Sequence, residues 1–447
     1  MLFESPRAFL SALPRFAQSA HAFEALASSA QFREQLLEHI AKAQRRIYIA
    51  ALYLQNDAAG DLILSALYAA KARQPQLEIA VFVDWHRAQR GLIGAKAESG
   101  NAAWYQQRAQ QHHLEVPIYG VPVQSRELLG VLHLKGFVID DKVIYSGASL
   151  NNVYLHVGDR YRYDRYHVLH NPALAESMVH FFQTALLSQT AVHRLDRPNI
   201  PSTKAIRGEI RHFRQHLKAA RYSLQGSSNT ETGLAITPWV GVGQRNPLNR
   251  LILKLISASE RKIVICTPYF NLPRSVTKAL NSLIKKGVQI DLIIGDKTAN
   301  DFYIPPSEPF KTIGALPYLY EANLRRFAKV QQKAMQAGQL NILLWHDIGH
   351  SFHLKGIWVD DDYQLLTGNN LNPRAFNLDL ENALLIHDPQ GELSTSKAAE
   401  LQQIRQHTRR IASYTELETL ADYPEKVKKL LTRLSRIRVD RLLSRFL

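Results

Sequence analysis

A nine-residue string occurs twice in this chain, and the duplication limits the fold more than any other feature. His133-Leu134-Lys135-Gly136-Phe137-Val138-Ile139-Asp140-Asp141 and His353-Leu354-Lys355-Gly356-Ile357-Trp358-Val359-Asp360-Asp361 agree at six of nine positions, 220 residues apart. Upstream, Arg45 to Tyr53 matches Glu260 to Tyr269 in pattern, a basic pair, an apolar strand and a tyrosine, at an offset of 216. Each copy follows a helical apolar pattern, Phe32, Leu36, Leu37 and Ile40 in one and Leu248, Leu251, Ile252 and Leu255 in the other. A second strand comes next, Leu77 to Val83 or Val288 to Ile294. The 447 residues suit about two domains. Strands alternating with helices predict an α/β fold of two α/β/α halves related by a pseudo-twofold axis, with the active site at their interface.

The expected organisation is an N-terminal half over 1–195, a linker over 196–247, a C-terminal half over 248–390 and a basic helical tail over 391–447. The linker assignment rests on Pro198, Pro201, the basic helical stretch Ile206 to Tyr222 and the polar run Gln225 to Gly233.

In a strand, residues two apart share a face, so His133 projects with Lys135 and His353 with Lys355. Two such pairs meeting across an interface suit phosphoryl transfer without a metal. One imidazole attacks phosphorus, the other protonates the leaving oxygen, and the ammonium groups stabilise charge on the non-bridging oxygens. Asp140 and Asp360 complete each motif and stand with the candidate catalytic groups, although their turns, Asp140-Asp141-Lys142 and Asp360-Asp361-Asp362, also read as plain turn-formers. Return strands lead to Gly147-Ala148-Ser149-Leu150-Asn151 and Gly368-Asn369-Asn370-Leu371-Asn372. There Asn151, Asn370 and Asn372 are candidate phosphate or substrate donors, with Tyr269 beside them. Glu381 is the candidate carboxylate for orienting a catalytic histidine.

A bland alternative makes each His-x-Lys a polar pair on a half-exposed strand. One copy would fit it; two copies with matched Leu, Gly and downstream Gly-x-x-x-Asn do not. The 18 histidines include His112-His113, taken as surface residues, but no His-Glu-x-x-His or Cys-x-x-Cys spacing occurs, so neither metal nor cofactor is expected.

The paired motifs resemble the phospholipase D superfamily. Asp84 to Gly91, Tyr145 to Asn151, Thr267 to Pro273, Gly295 to Tyr303 and Gly368 to Arg374 look like the phosphatidylserine synthases of Gram-negative bacteria, a likeness running from about residue 30 to the C-terminus. That resemblance implies CDP-diacylglycerol and L-serine as substrates, phosphatidylserine and CMP as products, and a phosphatidyl-histidine intermediate. By analogy His133 is the nucleophile and His353 the acid, but the near-symmetric motifs leave the assignment open. Ala148 and Asn369 stand where the superfamily usually has serine. Cardiolipin synthases and superfamily endonucleases share the chemistry; the former typically carry N-terminal membrane spans and the latter commonly one motif per chain.

The net charge is +16, which attracts anionic membrane surface, nucleic acid or ribosome. Nothing in the sequence sets the oligomeric state. The lone Cys266 lies in an apolar run and reads as core filling. Met1 to Arg15 lacks a secretory core, and no window has the roughly 18 apolar residues a span requires, so the expectation is cytoplasmic residence with peripheral attachment to the inner membrane. From Pro424 to Leu447, Val427, Leu430, Leu431, Leu434, Ile437, Leu442 and Phe446 recur at helical spacing among eight Lys or Arg, predicting a basic amphipathic helix for a headgroup layer.

Overall fold

A computed structural model describes residues 5–90, 100–229 and 232–436. Two mixed sheets, of eight and nine strands, dominate it. Their central strands are nearly continuous apolar runs, Ile47 to Ala51 and Ile263 to Cys266, buried on both faces as a helix-covered sheet requires. In the first sheet, Arg46–Ala50 pairs in parallel with Glu78–Asp84, which pairs in parallel with Ile118–Val121. On its other side Arg46–Ala50 meets Phe137–Ile139 antiparallel, followed by Lys142–Ser146, Tyr166–His170 and Phe23–Leu26.

The second sheet repeats this order. Lys262–Thr267 is parallel to Gln289–Gly295, and that strand to Leu340–Trp345. Antiparallel partners follow on the other side: Gly356–Val359, Tyr363–Thr367, Leu380–His387 and Ala235–Val242. Helices pack on the strands with defined starts: Ser28 and Asp57 accept from the first turns of Ser29–Lys42 and Ala58–Arg73, and Asn246 does so for Pro247–Ser257.

Strand pairing moves several expected boundaries. Ala235–Val242, within the expected linker, is a full strand of the second sheet, matching Phe23–Leu26 in the first. Ser394–Arg405 and the edge strand Thr408–Ile411, within the expected tail, complete the second half as Pro172–Phe181 and His193–Arg194 complete the first. Phe16–Ala17, by contrast, leaves the N-terminal half to pair with Ala235–Val242. Cys266 is buried as expected.

The terminal helix is described over Glu425–Arg436. Its Val427 is buried against Ala315, Tyr318 and Tyr423, with Leu430 and Leu431 packed on the same cluster. Over these described turns the apolar face therefore packs on the protein. The remainder of the expected membrane helix, including Ile437, Leu442 and Phe446, lies outside the described residues.

The halves are laced at two equivalent points. The His133 N–H donates to Leu380 O at 2.9 Å, and the Leu380 N–H to Val131 O at 3.0 Å. Ser351–Phe352 pairs in parallel with Arg162–Tyr163, and the His353 N–H donates to Tyr163 O at 2.8 Å. Leu366, Leu380, Leu384 and Ile386 extend the first half's core into the second. Each motif is thus held by the opposite half.

Candidate active site

The motif histidines stand just ahead of their strands rather than within them, on extended segments leading into Phe137–Ile139 and Gly356–Val359. Both are buried, each 7% exposed. His133 Nδ1 lies 2.9 and 3.0 Å from the two carboxyl oxygens of Glu381, which follows Leu380 in the opposite half. His353 Nδ1 lies 3.3 Å from Asp164 Oδ2, and Asp164 follows Tyr163 in the opposite half. Glu381 and Asp164 are therefore equivalent, 217 residues apart. The sequence singled out Glu381 as a candidate and not Asp164, although the repeat offset pointed to it.

Burial pushes His133 well below its usual value, and the charges of Lys135, Lys355 and His353 push the same way, so its ring is neutral at pH 7. Those neighbours come from both motifs, so the two His-Lys pairs share one site. Burial pushes Glu381 well up, with Asp379 adding to it. A buried pair of this kind shares one proton: on the Nδ1 side it leaves Nε2 with its lone pair. Burial and Lys355 lower His353 to about 4, against the pull of Asp164 and Asp301. Asp164, despite burial, is held below its usual value by Lys355 and His353.

The lysines cross the interface too. Lys355 Nζ donates to Asp164 Oδ2 at 2.9 Å and also touches His353 Nδ1. A Cβ on Gly147 would come within 2.7 Å of Asp164 and 2.8 Å of Lys355 Nζ, while one on Gly368 would come within 2.6 Å of Lys135 Cγ. Only glycine fits where each lysine passes beneath the opposite half. Asn382 clamps Lys135, its Oδ1 accepting from the Lys135 N–H and its Nδ2 donating to the Lys135 carbonyl, both at 2.8 Å. Burial and then Lys355 bring the Lys135 ammonium down to about 7.

Around His353 the halves differ. The Tyr154 hydroxyl lies 3.0 Å from its Nδ1, and Asp301 Oδ2 lies 3.9 Å from its Nε2. Arg162 Nε is 2.8 Å from Asp301 Oδ1, and its guanidinium sits over the Tyr154 ring at 4.6 Å. Tyr154, Arg162 and Asp301 went unrecognised in the sequence, since none belongs to a repeated string. Tyr269 stacks on Tyr320, and both it and its repeat partner Tyr53 feel the charges of Arg162 and Asp301.

Other expected residues do different work. Asp140 and Asp360 sit beyond their strands, seven residues and up to about 23 Å from their histidines. Both adopt left-handed backbone, φ 53° and 49°, and accept backbone N–H bonds from Gln44, Arg45 and Arg46 or from Glu260, Arg261 and Lys262. They anchor the start of the neighbouring strand and are not in the site. Asn372 caps Pro373–Asn377 through the Ala375 N–H, and Asn151 accepts from the Tyr154 N–H, so these Oδ1 atoms hold turns. Asn370 Oδ1 and Asn369 Nδ2 are buried without a hydrogen-bond partner.

This arrangement offers a neutral imidazole oriented by a carboxylate, a second imidazole opposite it, and two lysines for an anionic transition state. Among the described residues, no group of three or more His, Cys, Asp or Glu side chains is placed to hold a metal ion. The family model described as "Cardiolipin synthase, PLD-like domain" matches residues 36–185 and 252–407, once per half. Over 439 residues, 98% of this chain and 97% of the relative, the sequence is 52% identical to the CDP-diacylglycerol–serine O-phosphatidyltransferase of Escherichia coli. It is 50% identical over 443 residues, 98% of this chain and 97% of the relative, to the enzyme of that name from Haemophilus influenzae. The crystal structure of phosphatidylserine synthase from H. influenzae superposes with a TM-score of 0.96, at 48% identity and covering 99% of each chain.

Proposed function

The chain belongs to the phospholipase D-like family, in its phosphatidylserine synthase branch, and from that premise we propose that it transfers the phosphatidyl group of CDP-diacylglycerol to L-serine, giving phosphatidylserine and CMP. The observation that carries this is the crossed pairing of His133 with Glu381 and His353 with Asp164, which equips one interface with both histidines of a two-step displacement.

His133 is the nucleophile. Glu381 takes up its Nδ1, so Nε2 attacks the phosphorus that bears diacylglycerol and the bond from phosphorus to the CMP oxygen breaks. His353, its proton affinity raised by the incoming diphosphate, gives a proton to the departing CMP. It then takes the proton of the serine hydroxyl as that oxygen displaces Nε2 from phosphorus. Lys135 and Lys355 stabilise the non-bridging oxygens throughout. Asn370 and Tyr269 border the bound substrate.

The enzyme works from a membrane surface. Among the described residues no helix is long and apolar enough to span a bilayer. Leu128 and Ile348, 63% and 84% exposed, each stand five residues ahead of a motif histidine, so each motif is preceded by an equivalent exposed apolar prong. Arg87, Arg90 and Arg374 gather around Glu127 beside Leu128, a cationic setting for anionic lipid.

Purified protein given CDP-diacylglycerol with serine, glycerol or water tests the assignment through CMP release and lipid chromatography. Serine should give phosphatidylserine far faster than glycerol or water gives product. Equal rates with all three acceptors would contradict it.

A further inference from the structure

We infer that Arg162 and Asp301 form the acceptor subsite, holding the carboxylate and the ammonium of an α-amino acid so that its side-chain hydroxyl meets Nε2 of His353. This inference rests on the serine transfer proposed above and adds the place and chemistry of acceptor recognition.

The first support is divergence between otherwise equivalent halves. Tyr163 and Asp164 correspond to Leu380 and Glu381, so the position equivalent to Arg162 is Asp379. Asp379 is occupied by the Arg374 Nε and the Val131 N–H. A duplicated site would keep one charge pattern if both faces met the same ligand. Reversed charge suits a donor on one face and a different molecule on the other.

Asp301 supplies the second. Its Oδ1 is 2.8 Å from Arg162 Nε, yet that N–H is directed to Ser351 Oγ at 3.3 Å. Oδ1 is therefore buried in an ion pair with Arg162 while accepting no directed hydrogen bond. A carboxylate oxygen left in that state calls for a donor, and an ammonium is a strong one.

Geometry supplies the third. Asp301 Oδ2 and His353 Nε2 are 3.9 Å apart. In serine the hydroxyl and the ammonium are on adjacent carbons, so one molecule spans the two partners. Its carboxylate then meets the guanidinium, which in the free site serves the Tyr154 and Tyr53 hydroxyls and whose planar fork matches two carboxylate oxygens. Held this way, the hydroxyl gives its proton to His353 Nε2 while its oxygen bonds to phosphorus, and the phosphorus–nitrogen electron pair returns to His133.

The rival is a purely structural ion pair between the halves. Asp301→Asn and Arg162→Lys separate the two through paired readouts: serine-dependent CMP release, and serine-independent exchange of labelled CMP into CDP-diacylglycerol. The KM for serine should rise by at least about tenfold in each variant, and the ratio of transfer to exchange should fall correspondingly. Arg162→Lys should also narrow the preference for serine over serine methyl ester, which lacks the carboxylate. An unchanged serine KM, or equal losses in exchange and transfer, would overturn the subsite. Absence of both exchange and transfer in the unsubstituted enzyme would instead strike the proposed function.

Discussion

The two halves share a strand order and a cross-half carboxylate, yet they surround their histidines differently. His133 has one strong partner, Glu381, contacting Nδ1 through both oxygens. His353 has a crowd: Asp164, Lys355, Tyr154 and, near Nε2, Asp301. The first setting fixes a lone pair. The second offers several routes for adding and removing a proton and a charged pair for a second substrate. The repeat supplies a symmetric frame, and the division of labour lies in the residues that differ around it.

The largest expected effects come from the histidines themselves. His133→Ala and His353→Ala should each cut turnover by roughly 10³-fold or more with the fold intact, because neither nucleophile nor proton carrier is replaced by solvent. Steady-state CMP release with circular dichroism checks this; a near-normal rate in either variant would remove that histidine from the reaction.

The carboxylates should then part company. Glu381→Gln is expected to lose roughly 10²- to 10⁴-fold in activity, since an amide no longer fixes the tautomer. Asp164→Asn should lose less activity, because Tyr154 still holds His353, but more stability. It leaves the fully buried Lys355 without its anion, a cost of about 3–5 kcal/mol. Rates and denaturant melts of the two variants would erase the contrast if they proved alike.

Charge on the lysines sharpens the comparison further. With Lys135 brought to about 7 by burial and Lys355, kcat/KM should fall as pH rises through that region, because the ammonium form is the active one. Arginine stays charged there, so Lys135→Arg should lack this alkaline limb whatever its absolute rate. A limb of unchanged position in the variant would assign it to another group.

Much of this was legible in the sequence, and the reasons are local. Motifs repeated at 220 residues announce two halves, and Glu381 could be singled out because a buried imidazole calls for a carboxylate. Boundaries failed where strands pair across long separations, as with Ala235–Val242 and Thr408–Ile411, whose local pattern does not reveal a sheet partner. Motif membership carried Asp140 and Asp360 into the candidate catalytic set, but their reading as turn-formers is the one the hydrogen bonds bear out: each carboxylate caps the start of a neighbouring strand. Arg162 and Asp301 were invisible because 139 positions separate them, and only the fold brings them to His353.

The smallest effect concerns the membrane. Replacing Leu128 and Ile348 by serine should weaken binding to anionic vesicles several-fold while sparing detergent-dispersed substrate, since shallow insertion realises only a fraction of the about 1.5–3 kcal/mol that full burial of each prong would give. Sedimentation across salt separates this apolar part from the screened cationic part. Unchanged binding by the double variant would move attachment to another surface.

The central claim, that the halves divide the reaction between a covalent and a proton-carrying histidine, is met most directly by trapping. Enzyme mixed with CDP-diacylglycerol in the absence of serine, quenched in alkali where phosphohistidine survives, and mapped by mass spectrometry should carry the phosphatidyl adduct on His133. That adduct should vanish when serine is added. An adduct on His353, or none while CMP is still exchanged, would contradict the account.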